Sequence, residues 1–377
     1  MHNTQWNWLV YMGADNDLDS DVQGDLSEME KADPSKVQVV VQVDHFDEPT
    51  ERFQLIHGNG LQKLPSINNK DDFDANSENP IVVSSFLRFA QHLAPSARTA
   101  VILWSHGAGF EDFTFEGATG PAATKLKTIR RNGRMIKTSD HSASRFLSNP
   151  SLGRALAIAC QDYPFDVIGS DSCLMAMLEV AHQIRRCGTI FVASQSNIRR
   201  TGWNYEDILK QFTDAHTPEE VAGFIVDVGR HQGDATISAI RLDRMDDVAS
   251  KLNELGDVLL PLLGTEQTAI RRARDQVRTF PRLGFIDLYD FAERLREEFD
   301  SAKGDGRAVG EATDALMKAV RRAIIRPTPA EVDRHSNGLT VYVPTLKIDE
   351  AKKRFESLSL THAAPRWAAF VRAHSEL

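Results

Sequence analysis

Cysteine is scarce: 377 residues carry only Cys160, Cys173 and Cys187. That number is too small, and too odd, for a disulfide framework, and an intracellular, reducing compartment is expected. No CxxC or paired Cys/His spacing is present, so no metal site is expected. No apolar run approaches the roughly 20 residues of a membrane span, and no membrane partner is expected. The first residues, Met1 to Trp8, lack a basic n-region and a long apolar h-region, so no signal peptide is visible and a cytoplasmic location is expected. Excess positive charge is missing as well. A formal net charge of −9 argues against a nucleic-acid partner, which a basic face would attract. Internal repeats and low-complexity tracts are absent. Gly107-Ala-Gly109-Phe-Glu-Asp lacks the third glycine of a dinucleotide fingerprint, so a nicotinamide or flavin cofactor is discounted. Gly169-Ser-Asp-Ser-Cys173 is not a serine nucleophile elbow. Asp15-Asn16-Asp17 lacks EF-hand spacing, and turn and cap chemistry explains it better.

What is present is an alternation of strands and helices. With 41% apolar residues, the chain can bury a large core. Candidate strands are Trp6–Met12, Val37–Val43, Arg52–His57, Thr99–Ser105, Phe165–Ser170, Thr189–Ser194 and Thr236–Leu242. They are short, rich in Val, Ile and Leu, and bounded by Gly, Asp, Asn or Pro. Helical patterns lie between them at Asp19–Lys31, Ile81–Leu93, Ser151–Gln161, Leu174–Arg186 and Pro218–His231. Near-continuous apolar strands interleaved with amphipathic helices predict an α/β fold: a mostly parallel sheet with helices on both faces. Residues 1–243 are expected to form this core. Residues 244–377 are helix-rich, and their strand Gly338–Pro344 is expected to join the same sheet.

Two strands end in reactive side chains. Val101-Ile-Leu-Trp-Ser precedes His106-Gly107, and Phe165-Asp-Val-Ile-Gly-Ser precedes Asp171-Ser-Cys173. Catalytic groups of open parallel sheets gather at the carboxyl ends of strands. A histidine and a cysteine at such ends would meet as a base and a thiol nucleophile. Most free cysteines are inert core thiols, and Cys160 and Cys187, which end helical runs, fit that description. Cys173 differs because the pattern starts a helix at Leu174, whose positive end would favour its thiolate. Gly107 permits close backbone approach and, with the Cys173 N–H, could form an oxyanion hole. A Cys–His dyad needs no third residue. Asp171 suits the floor of a pocket for a cationic side chain, or equally an N-cap of the next helix.

Residues 107–149 show little apolar periodicity and read as a long loop. Lys125, Lys127, Arg130, Arg131, Arg134 and Lys137 crowd within it, with no acidic residue between the first and the last. A loop of that length is either functional or disordered.

At these motifs the chain resembles the clostripain family of cysteine peptidases, of the caspase-like clan. The matching stretches are Trp8-Leu-Val-Tyr-Met-Gly-Ala-Asp15-Asn-Asp-Leu, Ile102-Leu-Trp-Ser-His106-Gly-Ala-Gly and Asp171-Ser-Cys173-Leu-Met-Ala-Met-Leu-Glu-Val-Ala. Weaker echoes are Val192-Ala-Ser194-Gln195, Thr201-Gly-Trp203-Asn-Tyr205, Phe285–Phe291 and Gly338–Pro344. The resemblance runs from near the N-terminus to residue 344. It implies a caspase-like three-layer sandwich, a Cys173 nucleophile, a His106 base, Gly107 in the oxyanion hole and Asp171 in an S1 pocket for Arg or Lys. It also implies substrate contacts near Ser194, Gln195 and Trp203, and self-cleavage after a basic residue between His106 and Cys173, where the Lys125–Lys137 cluster lies. The implied substrate is a protein or peptide with a basic P1 residue. The chain departs from the pattern at Arg199-Arg200-Thr201, where relatives often carry an acidic residue before Gly-Trp. Two arginines there could compete with a basic substrate for Asp171. No cofactor is expected; some relatives need calcium, and no calcium site is legible. Two alternatives stand beside the peptidase: a non-catalytic caspase-like binding module, and a latent cytoplasmic protease effector switched on by an unidentified signal.

Overall fold

The computed structural model describes residues 6–46, 48–65, 75–77, 79–93, 98–111, 126–131, 134–139, 147–161, 163–212, 216–231, 233, 236–299, 304–326, 333–345 and 349–376. The strands are β1 (Trp6–Ala14), β2 (Val37–His45), β3 (Glu51–Ile56), β4 (Gly60–Lys63), β5 (Arg98–Trp104), β6 (Leu126–Arg131), β7 (Arg134–Ser139), β8 (Phe165–Asp171), β9 (Gly188–Ser194), β10 (Ile237–Arg241), β11 (Phe285–Asp287), β12 (Ile324–Arg326) and β13 (Thr340–Tyr342). Nine of them make one sheet in the order β12-β10-β9-β8-β5-β1-β2-β3-β4. The middle five, β9 to β2, run parallel. Their neighbours on either side, β10 and β3, are antiparallel.

Both faces of the central strands are buried, and alternate side chains enter two separate cores. Along β1, Leu9 and Tyr11 join one core, while Trp6, Trp8, Val10 and Met12 join the other. Helices α1 (Val22–Met29), α5 (Tyr205–Leu209) and α6 (Pro218–His231) cover the second face. The first is covered by α2 (Pro80–Leu93), α3 (Asn149–Ala159), α4 (Leu178–Ile184), α7 (Met245–Leu262), α8 (Gln267–Gln276), α9 (Leu288–Glu298) and α10 (Gly304–Ala323), with the last helix, Pro365–His374. This is the three-layer sandwich that the pattern predicts. Side chains from both the sheet and the helices after residue 243 build the first core, including Leu103, Leu252, Leu316 and Trp367. Each such fully buried side chain contributes about 1.5–3 kcal/mol.

Gly338–Pro344 does not join the main sheet. β13 pairs antiparallel with β11 in a separate two-stranded sheet. Its other backbone groups are also claimed: the Thr340 N–H donates to the Ala176 carbonyl at 2.8 Å, and the Tyr342 N–H to Glu179 Oε1 at 2.9 Å. The strand that the C-terminal part adds to the main sheet is instead β12, a short continuation of α10 that pairs with β10.

Candidate active site

Register places the two reactive segments together. β5 and β8 are adjacent, parallel and in step, with Trp104 opposite Asp171. His106 and Cys173 therefore leave the carboxyl edge side by side, each two residues beyond a paired position. β1 flanks β5 with Met12 opposite Trp104, so the segment after β1 borders His106. The three strand ends are tied together where they finish. Ser105 Oγ donates to the Gly13 carbonyl at 2.8 Å, and the Ser105 N–H to the Asp171 carbonyl at 3.5 Å. Beyond them opens a cavity of about 440 Å³ lined by His106, Gly107, Asp171 and Cys173. Asp17, residues 197–200, Pro281 and Arg282 line it too.

Cys173 is half-buried, and its surroundings differ from the expected helix start. α4 begins at Leu178, not Leu174, because the intervening backbone bonds elsewhere. The Leu174 N–H donates to the Ser196 carbonyl at 3.0 Å and the Ala176 N–H to the Ser194 carbonyl at 2.9 Å. Leu174 itself has φ +66°, a left-handed conformation that costs a branched residue energy and is held by these bonds. In place of a helix end the sulfur meets the Ile198 backbone: the Ile198 N–H donates to Sγ at 3.3 Å, and Sγ lies 3.8 Å from the Ile198 carbonyl oxygen. Gly107 is packed so closely that a Cβ there would overlap the Cys173 carbonyl oxygen and sit 3.0 Å from its nitrogen. No side chain larger than hydrogen fits between the two segments.

Asp171 is not a helix cap. It is buried, and its Oδ2 accepts the Trp203 N–H at 3.0 Å and the Tyr205 hydroxyl at 2.7 Å. Gly202 makes this approach feasible, since it has φ +61° and a Cβ would lie 2.8 Å from Oδ2. Burial, and then the Asp171 charge, pushes the Tyr205 hydroxyl well above the usual tyrosine value, so it stays a donor. A second acid stands behind. Asp25 of α1 accepts the Trp104 Nε1–H at 2.7 Å. Burial, followed by the nearby charge of Asp171, pushes its carboxyl up to about 8 against the pull of that hydrogen bond. Glu28, one helical turn on, accepts the Tyr205 N–H at 2.8 Å.

Asp25 carried a signal that went unused. It falls within the buried stripe Val22, Asp25, Leu26, Met29 of α1, where a carboxylate has no reason to be unless something binds it. Asp17 is the other missed residue, since Asn16 does the turn work expected of that stretch. The Asn16 side chain accepts the Leu18 N–H and donates to the Gly13 carbonyl. Asp17 Oδ1 instead meets His106 Nε2 at 2.8 Å.

Ser194, Gln195 and Trp203 are fully buried and do not line the cavity. Ser194 Oγ pairs with Thr236 Oγ1 at 2.8 Å. The Gln195 amide donates to Asp287 Oδ2 at 3.0 Å and accepts the Gly338 N–H at 2.8 Å. The Trp203 ring packs on Gly169. These side chains brace the cavity walls from behind. The two arginines lie at the cavity, with their described contacts away from Asp171. Arg200 donates to Asp21 Oδ2 at 2.8 Å and to Asp17 Oδ2 at 3.2 Å. The Arg199 guanidinium lies against Gly233.

The basic stretch is a β-hairpin and not a structureless loop. β6 carries Lys127, Arg130 and Arg131, β7 carries Arg134 and Lys137, and Arg131 is paired with Arg134. Lys125 lies outside the described residues. Cys160 and Cys187 are away from the cavity. A hydrogen bond with Cys160, and burial, push the Cys187 thiol far up. Among the described residues, Asp290, Glu293 and His335 bring metal-ligating atoms within 4.8 Å of one another. Asp290 is already engaged by the Arg294 guanidinium at 3.2 Å and the Arg278 N–H at 2.6 Å, which neutralises the charge that a cation would need.

The family model of the clostripain family, peptidase family C11, matches residues 10–345. Three solved structures share the fold across nearly both full lengths. A secreted C11 cysteine protease from Bacteroides thetaiotaomicron, in complex with an irreversible peptide inhibitor, is 18% identical, with a TM-score of 0.67 over 96% of this chain and 99% of that one. An inactive zymogen of a C11 protease from Parabacteroides distasonis is 19% identical, with a TM-score of 0.65 over 96% and 98%. The secreted B. thetaiotaomicron C11 protease iotapain is 15% identical, with a TM-score of 0.68 over 96% and 99%. A search of curated protein sequences finds no match. The match over residues 10–345 makes this chain a member of the clostripain family of cysteine peptidases.

Proposed function

We propose that this peptidase cleaves protein or peptide chains after Arg or Lys, with Cys173 as nucleophile and His106 as general base. The observation that supports the dyad is the register of β5 and β8, which delivers His106, Gly107 and Cys173 to one cavity. In the first step His106 takes the thiol proton and Sγ attacks the scissile carbonyl carbon, forming a C–S bond. The carbonyl oxygen becomes an oxyanion, which the N–H groups of Gly107 and Cys173 stabilise; one such donor is worth about 10²–10³ in rate. As the intermediate collapses, the C–N bond breaks and His106 returns the proton to the leaving amine. Water, deprotonated by His106, then hydrolyses the thioester and frees the sulfur. The Ile198 N–H aimed at Sγ supports the anionic form of the sulfur.

Basic P1 preference rests on Asp171, which lines the cavity and whose carboxylate is held in place by Tyr205 and Trp203. The Arg200 contacts with Asp17 and Asp21 favour this reading, because an arginine so engaged does not compete for Asp171. Self-processing is proposed within 125–137. Peptide bonds inside the hairpin ladder are tied up, so cleavage after Lys125 or after Arg131, at the hairpin's end, is favoured over Lys127, Arg130, Arg134 and Lys137. The test is hydrolysis of a P1-diverse fluorogenic peptide set by wild type and Cys173→Ala, with intact mass recorded on both. Arg- or Lys-specific turnover by wild type alone is expected, with a cut after Lys125 or Arg131. Turnover at other P1 residues would overturn the role of Asp171, and turnover by Cys173→Ala would overturn the nucleophile.

A further inference from the structure

The acidic segment after β1 has no part in the dyad as written, yet it touches the dyad's histidine. His106 Nε2 lies 2.8 Å from Asp17 Oδ1. An ionised carboxylate can only accept, so Nε2 carries the hydrogen and the lone pair of a neutral imidazole falls on Nδ1. The carboxylate is itself held. Arg200 donates through Nη1 to Asp17 Oδ2 at 3.2 Å and through Nη2 to the Asp17 carbonyl. The same guanidinium reaches Asp21 Oδ2 at 2.8 Å and Ser20 Oγ at 3.1 Å. A fork fastened at four acceptors holds one orientation, which a lysine could not do.

Arg200 and the amide that touches the sulfur belong to one short loop. Ile198 donates its N–H to Cys173 Sγ, and two residues later Arg200 clamps Asp17. The loop after β9 therefore supports both halves of the dyad: the sulfur directly, and the imidazole through Asp17.

We infer that Asp17 is a positioning residue for His106, fixing its tautomer and ring plane, and that Arg200 locks Asp17 in that task. This rests on the Cys173–His106 reading and adds a third and a fourth member to it. Among the described residues, the other charged groups around the cavity are Asp171 from the end of β8, Asp21 before α1, and Arg199 and Arg282. None of the hydrogen bonds described for these four is made to the His106 ring. The state of the Asp17 carboxyl agrees: partial burial raises it, but the hydrogen bond and charge of His106, with the Arg200 guanidinium, outweigh that and hold it below its usual value.

Losing the carboxylate removes the partner that stabilises imidazolium, so a smaller share of Cys173 is held as the reactive thiolate–imidazolium pair. Losing Arg200 leaves the charge of Asp17 but frees its orientation. The experiment is the pH profile of Cys173 alkylation by iodoacetamide, read by peptide mass, on wild type, Asp17→Asn, Arg200→Ala, Arg200→Lys and His106→Ala. Peptide turnover and thermal melts accompany each variant. Asp17→Asn should lower kcat roughly 10- to 100-fold, less than for a buried triad carboxylate because Asp17 is half-exposed. Alkylation of its Cys173 near neutral pH should slow severalfold. Arg200→Ala should slow alkylation near neutral pH severalfold, and Arg200→Lys should restore only part of that loss. A folded Asp17→Asn with wild-type kcat and wild-type alkylation would overturn the positioning role. An Arg200→Ala as fast as wild type would overturn the lock. Wild-type turnover by His106→Ala would instead bring down the dyad reading, so the failures are distinct.

Discussion

The two walls of the cavity are built differently. One is the edge of the sheet: Gly13, Ser105, Gly107, Asp171 and Cys173 sit at the ends of three strands in register and are joined largely by buried backbone bonds. The other is the solvent side, where Asp17, Asp21 and Arg200 meet across two loops with side chains that are roughly a quarter to half exposed. Buried, sterically closed contacts cost kilocalories to break, whereas exposed ion pairs contribute about 0–1 kcal/mol and weaken with salt. The edge wall should therefore set whether chemistry occurs at all, and the solvent wall how fast.

The largest effect expected is on the edge wall. Cys173→Ala and His106→Ala should each lower kcat/KM by at least about 10³-fold while changing stability by no more than about 1–2 kcal/mol. Peptide turnover and thermal melts check both. A Cys173→Ala protein that fails to fold would mark the thiol as structural and break the distinction between the walls. Gly107→Ala should come next, because its Cβ overlaps the Cys173 carbonyl. It should destabilise the fold by about 1–3 kcal/mol and lower kcat about 100-fold through displacement of the oxyanion donors.

Tyr205→Phe takes one donor from the buried Asp171 carboxylate. It should cost about 1–3 kcal/mol of stability. It should also raise KM for Arg and Lys peptides more than it lowers kcat, which steady-state kinetics would show. An unchanged KM would separate Asp171 from P1 recognition.

Asp25 sharpens the comparison through pH. Burial, then Asp171, pushes its carboxyl up to about 8, whereas an unfolded aspartate releases its proton near pH 4. The folded chain thus holds a proton that the unfolded chain has lost. The stability this confers is fully present below about pH 4 and is lost as the pH rises through about 8. Asp25→Asn, which keeps an acceptor for Trp104, should flatten this slope. It should exceed wild type by about 1–3 kcal/mol above pH 8, measured as melting temperature against pH. The smallest effect belongs to the solvent wall: high salt should weaken the Arg200–Asp17 pair and slow turnover by no more than a few-fold.

The edge wall was the legible one. Trp6–Met12, Thr99–Ser105 and Phe165–Ser170 read as strands because they are short apolar runs with polar ends, and strand ends are where reactive groups gather. Cys173 stands out in the sequence for that reason, although the helix expected from Leu174 begins at Leu178 and the Ile198 amide meets the sulfur instead. Helical periodicity in Leu174–Arg186 is real from Leu178 onward. Before that, Ser194, Ser196 and Thr340 claim the backbone groups, and no local pattern announces partners from other parts of the chain. Gly338–Pro344 was misplaced for the same reason, since a buried strand does not say which sheet takes it. The solvent wall was illegible outright: Asp17 meets His106 across 89 residues and Arg200 across 183. Asp25 alone was readable in principle, as an acid in an apolar helix stripe.

The central claim is that Cys173 is a nucleophile made reactive by His106. Its most direct test is stoichiometric labelling of wild type and His106→Ala with an irreversible peptidyl inhibitor bearing a P1 lysine, followed by peptide mapping. The account predicts one adduct, on Cys173, in wild type and almost none in His106→Ala. Labelling of Cys160 or Cys187 at a comparable rate, or undiminished labelling of Cys173 without His106, would contradict it.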